Sequence, residues 1–145
     1  MKTDWNQRLI DLSKHISNWS KDRSTGIGAI IAKNNIILSI GYNGFPRGAN
    51  DDIELRHQRP EKYKYTEHAE RNAIYNAAKE GIRLNNSKIY IDWFPCVDCC
   101  RAIIQSGIKE IICKKPNLND KRWGEDFKIS LELFSECNIK ITYHK

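Results

Sequence analysis

The chain has 145 residues, of which 40% are hydrophobic and 10% aromatic, which excludes an intrinsically disordered protein. This length predicts that residues 1–145 form a single domain with a core of its own. Lys and Arg outnumber Asp and Glu by 24 to 18, so the net charge is +6. The excess is modest and spread along the chain, and it points only weakly to an anionic partner such as a phosphate ester or a nucleic acid.

The sequence also argues against membrane and secreted classes. No apolar run approaches the roughly 20 residues that a membrane span needs. The polar N-terminus leads into no apolar signal core. The five cysteines are odd in number and all follow residue 95, which does not suit a disulfide framework. We therefore expect a reduced, cytoplasmic protein whose thiols bind metal or pack in the core.

The first half of the chain predicts a helix, a hairpin, a loop and a second helix. Apolar residues recur every three or four positions over 4–19, which indicates an amphipathic helix. Residues 26–32 and 36–42 are β-branched segments on either side of an Asn-Asn turn, and they predict an antiparallel hairpin. Residues 43–66 are interpreted as a long, functional loop. An Ala-rich helix follows over 67–79, with Thr66 as its predicted N-cap.

The second half alternates strands and helices. Strands are predicted at 89–92, 108–113 and 139–143, and helices at 95–105 and 123–136, with Pro95 at the first helical position. Such alternation predicts parallel pairing, to which the hairpin adds antiparallel strands. We therefore predict an α/β fold with a mixed five-stranded sheet between helices, a three-layer α/β/α arrangement.

Two predicted helix starts carry the residues with the most chemical information. The first reads T-E-H-A-E over 66–70, and the second reads F-P-C-V-D-C-C over 94–100. Helix N-termini favour anionic groups such as thiolates and carboxylates. His68, Cys96 and Cys99 form the kind of nitrogen and sulfur set that zinc prefers. Three protein ligands leave a fourth position for water, which is typical of a catalytic site.

Glu70 is the predicted proton shuttle of this site. In a regular helix about 200° of rotation separates it from His68. At a splayed first turn, however, a metal held end-on can be reached by His68 while Glu70 faces the water. Glu70 is then placed to act as general base and general acid. A structural zinc would need a fourth ligand, for which Cys100 is the nearest candidate. No second ligand cluster is apparent, so we expect one zinc ion per chain.

The H-A-E motif at 68–70, together with P-C-x-x-C at 95–99, resembles the signature of zinc-dependent nucleobase deaminases. The stretch G-Y-N-G-F-P-R-G at 41–48 and the stretch A-I-I-Q-S-G-I at 102–108 are similar to the cytidine/deoxycytidylate (dCMP) deaminase family. The similarity covers roughly residues 20–113. It implies a cytidine deaminase-like fold, a homo-oligomer, and hydrolysis of dCMP to dUMP and ammonia in pyrimidine deoxynucleotide metabolism.

The resemblance also implies where the substrate binds. Asn43 is expected at the sugar, the Ala69 backbone at the edge of the base, and Trp93 in the wall of the base pocket, although a core aromatic is an equal alternative for Trp93. A monophosphate needs a cation at a fixed distance from the metal. Among the basic residues of the 43–66 loop we favour Arg47, four residues beyond Asn43 in a Gly- and Pro-rich turn. The alternative for Arg47 is a solvated surface side chain.

Two other functions stay open at this stage. One is deamination of a nucleoside, a free base or an RNA base. An RNA-acting enzyme would need a coherent basic face, whereas basic and acidic residues are mixed along this chain. The other is a non-catalytic zinc module that binds nucleic acid, but a structural zinc needs no carboxylate such as Glu70 beside an open coordination position. A small-molecule nucleotide is therefore the expected partner.

Overall fold

One mixed sheet organises residues 3–144, the part of the chain that the computed structural model describes. Its strands are β1 (Gly28–Lys33), β2 (Ile36–Tyr42), β3 (Lys88–Ile91), β4 (Glu110–Cys113) and β5 (Lys140–Tyr143), in the order β2-β1-β3-β4-β5. β1 is antiparallel to β2 and β3, whereas β3, β4 and β5 are parallel. The predicted hairpin and parallel second half are both confirmed. Because β2 and β3 both oppose β1, their carboxyl ends lie at the same sheet edge.

Helices cover both faces of this sheet. The covering helices are α1 (Trp5–Ser17), α3 (Ala69–Lys79), α4 (Val97–Gln105) and α5 (Gly124–Glu136), and a short helix α2 (Lys62–Tyr65) precedes α3. Neighbouring residues of one strand serve opposite faces, as the period of two requires. Ile30 packs in a cluster with α1, whereas Ile31 packs in a larger cluster with α3, α4 and α5. The predicted three-layer α/β/α arrangement is confirmed.

The segment 43–66, predicted as a loop, contains two short helices, and α3 begins later than predicted after it. It holds a 3-10 helix at Glu54–His57 as well as α2. Thr66 was expected to cap α3, and this prediction is wrong. Gly44 and Glu67 exchange two backbone hydrogen bonds of 3.1 and 2.8 Å, which keep Glu67 extended. The helix therefore begins at Ala69, with His68 at the N-cap.

The start of α4 is shifted in the same direction. Pro95 was expected at the first helical position, but it precedes the cap, because the Cys96 backbone is extended (φ −68°, ψ 172°) and α4 begins at Val97. The Cys96 side chain does not cap the helix. Instead Asp126 Oδ2 of α5 accepts the Val97 N–H at 3.2 Å, so a neighbouring helix satisfies one of the free N–H groups at this end.

The close approach of α3 to β2 fixes the first of the two helix starts. A Cβ added to Gly41 would lie 2.3 Å from the backbone nitrogen of Ala73, so only glycine allows this spacing. The Asn72 amide donates to the Tyr42 carbonyl at 2.8 Å. These contacts hold the N-terminus of α3 against the sheet edge where β2 and β3 end.

The structure also shows the length of the helices and the oxidation state of the cysteines. None of the helices within residues 3–144 combines the length and the apolar composition that crossing a membrane requires. All five cysteines lie in the described part of the chain, and each is a free thiol.

Candidate metal centre and active site

Three side chains from the two helix starts converge at the sheet edge. His68 is the N-cap of α3 and Cys96 the N-cap of α4, and Cys99 lies one turn further along α4. His68 Nδ1 lies 3.4 Å from Cys96 Sγ and 3.5 Å from Cys99 Sγ, and the three ligand atoms all lie within 4.8 Å of one another. Zinc–sulfur bonds of about 2.3 Å and zinc–nitrogen bonds of about 2.0 Å at a tetrahedral angle separate nitrogen from sulfur by about 3.5 Å. The side chains therefore fit a tetrahedral zinc ion.

The protonation of the three groups also suits a metal. The contact with Cys99 lowers the pKa of Cys96 to about 4, so this sulfur is a thiolate at neutral pH. Its contact with the Cys96 thiolate raises the pKa of His68. The hydrogen bond with Cys96, together with burial, raises the pKa of Cys99. Zinc binds thiolates and displaces the protons of such a pair, so the affinity of the site for zinc depends on pH. Among residues 3–144, no second group of three such ligands lies together.

Cys100 is not a fourth ligand. Its side chain is buried and points towards α5, where Cys100 Sγ lies 3.6 Å from the Ser130 carbonyl oxygen. Burial raises the pKa of Cys100 to about 12, so it stays a neutral thiol. Two cysteines and one histidine therefore form the site, and this count matches a catalytic zinc rather than a structural one.

Glu70 shares a cavity with the ligand set. This cavity has a volume of about 410 Å³, and His68, Glu70 and Cys96 all line it. Glu70 is the second residue of α3, and only 2% of its surface is exposed. Burial raises the pKa of the Glu70 carboxyl. A carboxylate two residues after His68 reaches the same space because His68 stands outside the helix, where the rotation of a regular helix does not apply.

Aromatic rings form the walls of the cavity. Trp93 lines it and also packs edge-on against Phe127, with 6.1 Å between ring centroids, so its ring belongs to the cavity wall and to the core, and its contact with a base stays a prediction. Ala69 is fully buried and lines the cavity beside the metal ligands. Trp123, which was not among the predicted site residues, lies with its ring edge-on to that of His68, at 6.0 Å between centroids.

The segment that carries Trp123 also brings two cations to the cavity. The Asp120 side chain accepts the N–H groups of Arg122 and Trp123, both at 2.8 Å, which folds residues 120–123 into a tight turn. Lys121, Arg122 and Trp123 all line the cavity as a result. The signal in the sequence was the Asn- and Asp-rich stretch ahead of a predicted helix, because Asp side chains commonly bond to the backbone two residues on.

A comparison with known families decides the class of this protein. A model of the cytidine and deoxycytidylate deaminase zinc-binding region matches residues 3–115. The chain belongs to this family. It is a zinc-dependent deaminase, and the sequence-based expectation of the family, the fold and the metal is confirmed.

Relatives and solved structures agree with this assignment. The deaminase is 37% identical over 144 residues to the uncharacterized deaminase in the luxG 3' region of Aliivibrio fischeri, covering 99% of this chain and 95% of that one. It is 36% identical over 123 residues to the deoxycytidylate deaminase of Mus musculus, covering 81% and 68%. A match to a probable deoxycytidylate deaminase of Caenorhabditis elegans spans only 54% of that protein. The dCMP deaminase of cyanophage S-TIM5, solved with dCMP and dUMP, shares the fold with a TM-score of 0.79 at 24% identity, covering 99% of each chain.

Asn43 lies in the wall of the deaminase's cavity, with its amide already engaged. Its Oδ1 accepts the Ile27 N–H and its Nδ2 donates to the Thr25 carbonyl, both at 2.8 Å. The amide therefore holds the 25–27 segment in place beside the metal ligands. The contact of Asn43 with a sugar stays a prediction.

Arg47 is engaged with α3, and its contact with a phosphate stays a prediction. Its guanidinium turns onto α3 and donates to the Asn76 side chain, and it lines a neighbouring cavity of about 280 Å³. It is not among the residues that line the cavity of the metal ligands. The Gly- and Pro-rich turn was expected to wrap an anion beside Asn43, and Asn43 and Arg47 do line this second cavity together, but only Asn43 also lines the cavity of the metal ligands.

A buried ion pair separates the two cavities. Lys62 Nζ lies 3.2 Å from Asp22 Oδ2, with 10% and 9% of the two side chains exposed. Burial opposes the charge of Asp22, but the N–H groups of Thr25 and Ser24, together with Lys62, lower its pKa overall. Lys62 lines both cavities, and its charge is paired with that of Asp22.

Proposed function

We propose that this deaminase hydrolyses dCMP to dUMP and ammonia. The observation that carries the proposal is the buried Glu70 carboxylate in one cavity with a His, Cys, Cys ligand set. A non-catalytic zinc module has no need of this arrangement. The named deoxycytidylate deaminases among its relatives support the choice of nucleotide, as the 36% identity to the mouse enzyme illustrates.

In this mechanism His68, Cys96 and Cys99 hold the zinc ion. When bound, zinc lowers the pKa of a coordinated water molecule from about 15.7 towards about 7 and so supplies a nucleophile at neutral pH. The protein's part is to bring the three ligands together, to favour the thiolate of Cys96 and to leave the site open on the cavity side. The N-cap positions of His68 and Cys96 contribute to this, because the free N–H groups of a helix start stabilise negative charge.

Glu70 moves the protons of the reaction. Its carboxylate accepts a proton from the attacking water and delivers it to the ring nitrogen of cytosine. The water oxygen is then bonded to the ring carbon that carries the amino group. Glu70 transfers the remaining proton of this oxygen to the amino group, so the C–N bond breaks, ammonia leaves and the carbonyl forms. A positioned carboxylate in this role contributes about 10²- to 10⁴-fold to the rate.

The walls of the cavity orient the base and the sugar. We expect the Ala69 backbone at the base edge, the Trp93 ring beside the base and Asn43 beside the sugar, which is supported by the presence of all three in the cavity wall. Trp123 lines the same cavity, with its ring at 79° to that of His68 and 6.0 Å between the centroids, and adds an apolar wall beside the metal ligands. We place the phosphate at the mouth of the cavity, where the exposed Lys121 and Arg122 lie.

Arg122 is the cation that we propose for the phosphate, in place of Arg47. Of the basic residues that line the cavity, Lys62 is paired with Asp22, and Arg59 Nε donates to the Tyr63 hydroxyl at 2.8 Å. Lys121 and Arg122 remain at the exposed rim, on the turn that Asp120 holds. Arg122 can bind two phosphate oxygens at once, which a lysine cannot.

Replacing Arg122 by Ala should therefore weaken the use of dCMP selectively. A hydrogen bond to a charged group is worth about 1.5–3 kcal/mol, so kcat/KM for dCMP should fall about 10- to 150-fold. The value for deoxycytidine, which has no phosphate, should stay within about twofold of wild type. Arg47→Ala is the comparison: a loss confined to Arg47→Ala would return the phosphate to the other cavity, and equal losses on both substrates would make Arg122 structural.

A substrate panel tests the function itself. Ammonia release is measured with dCMP, CMP, deoxycytidine, cytosine, dCTP and a tRNA, on enzyme of known zinc content. We expect the highest kcat/KM with dCMP. A higher value with the nucleoside, the free base or the tRNA would move the enzyme to another branch of the family. Zinc-loaded enzyme without activity on any of the six would contradict the proposed function.

Three further expectations belong to the same proposal. We propose a homo-oligomer, which is supported by exposed apolar side chains on the edge strand β2, where Ile36 is 67% and Ile37 44% exposed. We place the enzyme in the cytoplasm, where free thiols persist, in line with its five unpaired cysteines. We also propose that residues 1–145 act as one catalytic domain.

A further inference from the structure

Arg71 bridges the two helices that carry the metal ligands, and the mechanism above does not use it. It lies in the first turn of α3, with 20% of its side chain exposed. Its Nε lies 2.5 Å from Glu67 Oε1, and its Nη1 lies 3.5 Å from Asp98 Oδ2 on α4. One guanidinium therefore connects the segment before α3 to the first turn of α4.

Both partners of Arg71 are adjacent to ligands in the chain. Glu67 directly precedes His68, and Asp98 directly precedes Cys99. The His and Cys ligands come from segments separated by more than 25 residues, so only noncovalent contacts fix the distance between them. A guanidinium suits this task, because its rigid fork can hold two carboxylates in fixed directions at once.

We propose that Arg71 is a positioning residue that clamps the two ligand-bearing helix starts together and slows the loss of zinc. This inference rests on the ligand set of the proposed function. The clamp acts on geometry: it keeps His68 Nδ1 and the sulfurs of Cys96 and Cys99 at the spacing of a tetrahedral site when one bond to the ion opens. Neighbours that orient metal ligands typically change metal affinity by about 10- to 100-fold.

The charge of Arg71 alone would have the opposite effect. A positive charge near the site repels a divalent cation, and its removal would leave Glu67 and Asp98 to attract one. If charge dominates, a neutral residue at position 71 should therefore slow the release of zinc. If the clamp dominates, the same substitution should speed it. The direction of the change separates the two effects.

Three variants give the measurement a matched design. Arg71→Met removes the charge and the fork, whereas Arg71→Lys keeps the charge and loses the fork. Arg101→Met is the control: Arg101 is 57% exposed and also pairs with Asp98, at 2.5 Å, but it lies on α4 itself and pairs with no charged group of another element within residues 3–144. The zinc-loaded enzymes are mixed with excess 4-(2-pyridylazo)resorcinol, and the absorbance of its zinc complex gives the release rate.

We expect Arg71→Met and Arg71→Lys to release zinc about 10- to 100-fold faster than wild type, and Arg101→Met to stay within about twofold. Unchanged or slower release from Arg71→Met would overturn the clamp, as would wild-type release from Arg71→Lys. Equal acceleration in Arg101→Met would also overturn it, since a general loss of charge pairs around Asp98 would then suffice.

Asp98→Asn keeps the proposal testable if the Arg71 variants do not fold. Asp98 is 58% exposed, so its replacement leaves the core intact. We expect faster release from Asp98→Asn, and wild-type release from this variant would overturn the clamp. If Arg71→Lys folds, its combination with Asp98→Asn should give no further acceleration, because both changes break the same bridge. Wild-type zinc content is measured first. A wild type without zinc contradicts the proposed function, whereas normal zinc content with unchanged release in the variants contradicts only the clamp.

Discussion

Glu70→Gln should abolish nearly all turnover and leave the zinc in place. Glutamine has almost the shape of glutamate, and it fits the same buried position in the first turn of α3. It cannot accept a proton from the attacking water, so the transfers to the ring nitrogen and to the leaving amino group are both lost. We expect kcat with dCMP to fall by at least about 100-fold. Zinc content, measured by mass spectrometry of the metal, should stay at about one per chain.

Glu80→Gln is the matched control for this variant. It makes the same change at the C-cap of the same helix, where the Glu80 side chain is 65% exposed and pairs only with Lys79 in the described part of the chain. Its activity should equal that of the wild type. Substantial turnover in Glu70→Gln, at full zinc content, would show that another group transfers the proton and would falsify the role of Glu70.

The sequence predicted those features that local patterns determine. The strand and helix periods fixed the element order, and β-branched segments on either side of an Asn-Asn turn fixed the hairpin. Asn34 and Asn35 both adopt positive φ, at 52° and 64°, as a two-residue hairpin turn demands. The metal ligands were predictable for the same reason. The motif around His68 lies at the start of one helix and the C-x-x-C motif at the start of another, so each could be recognised from a few consecutive residues.

Features that depend on contacts between distant segments were not predictable in this way. Thr66 has the side chain of an N-cap, but the backbone bridge from Gly44 to Glu67 delays α3 by more than one residue. Pro95 has the preferred chemistry of a first helical residue, yet α4 begins two residues later, at Val97, where Asp126 of α5 accepts the first free N–H group. Each shift places a ligand, not a conventional capping residue, at the N-cap.

The phosphate contact shows the same limit. Arg47 is near Asn43 in the sequence, but the turn between them does not show whether the Arg47 side chain points into the cavity or away from it. The direction of the Arg47 side chain is set by Asn76 of α3, whose side-chain oxygen accepts a hydrogen bond from the guanidinium. Arg122 is far from Asn43 in the sequence, and the Asp120 turn brings it to the cavity. Site geometry of this kind follows from packing and not from spacing.

Cys99→Ala should lose the zinc and, with it, much of the stability of the protein. Cys99 is fully buried, and its sulfur is one of only two that face His68 Nδ1 within residues 3–144. Binding to the folded state alone stabilises a protein by about 4 kcal/mol when free zinc exceeds the Kd about a thousandfold. We expect zinc content to fall well below one per chain, and the unfolding free energy in a zinc buffer to fall by at least this amount.

Cys100→Ala provides the comparison that isolates the metal from the loss of a buried thiol. The two cysteines are adjacent on α4 and both fully buried, but Cys100 Sγ faces the Ser130 carbonyl and not the ligand set. Its replacement should cost only the packing of one small side chain, with zinc content and chelator resistance unchanged. The stability of wild type and Cys100→Ala should rise with free zinc, whereas that of Cys99→Ala should not. If Cys100→Ala loses the metal and Cys99→Ala keeps it, the assignment of the second thiolate is wrong, and α4 must present its other face to the zinc.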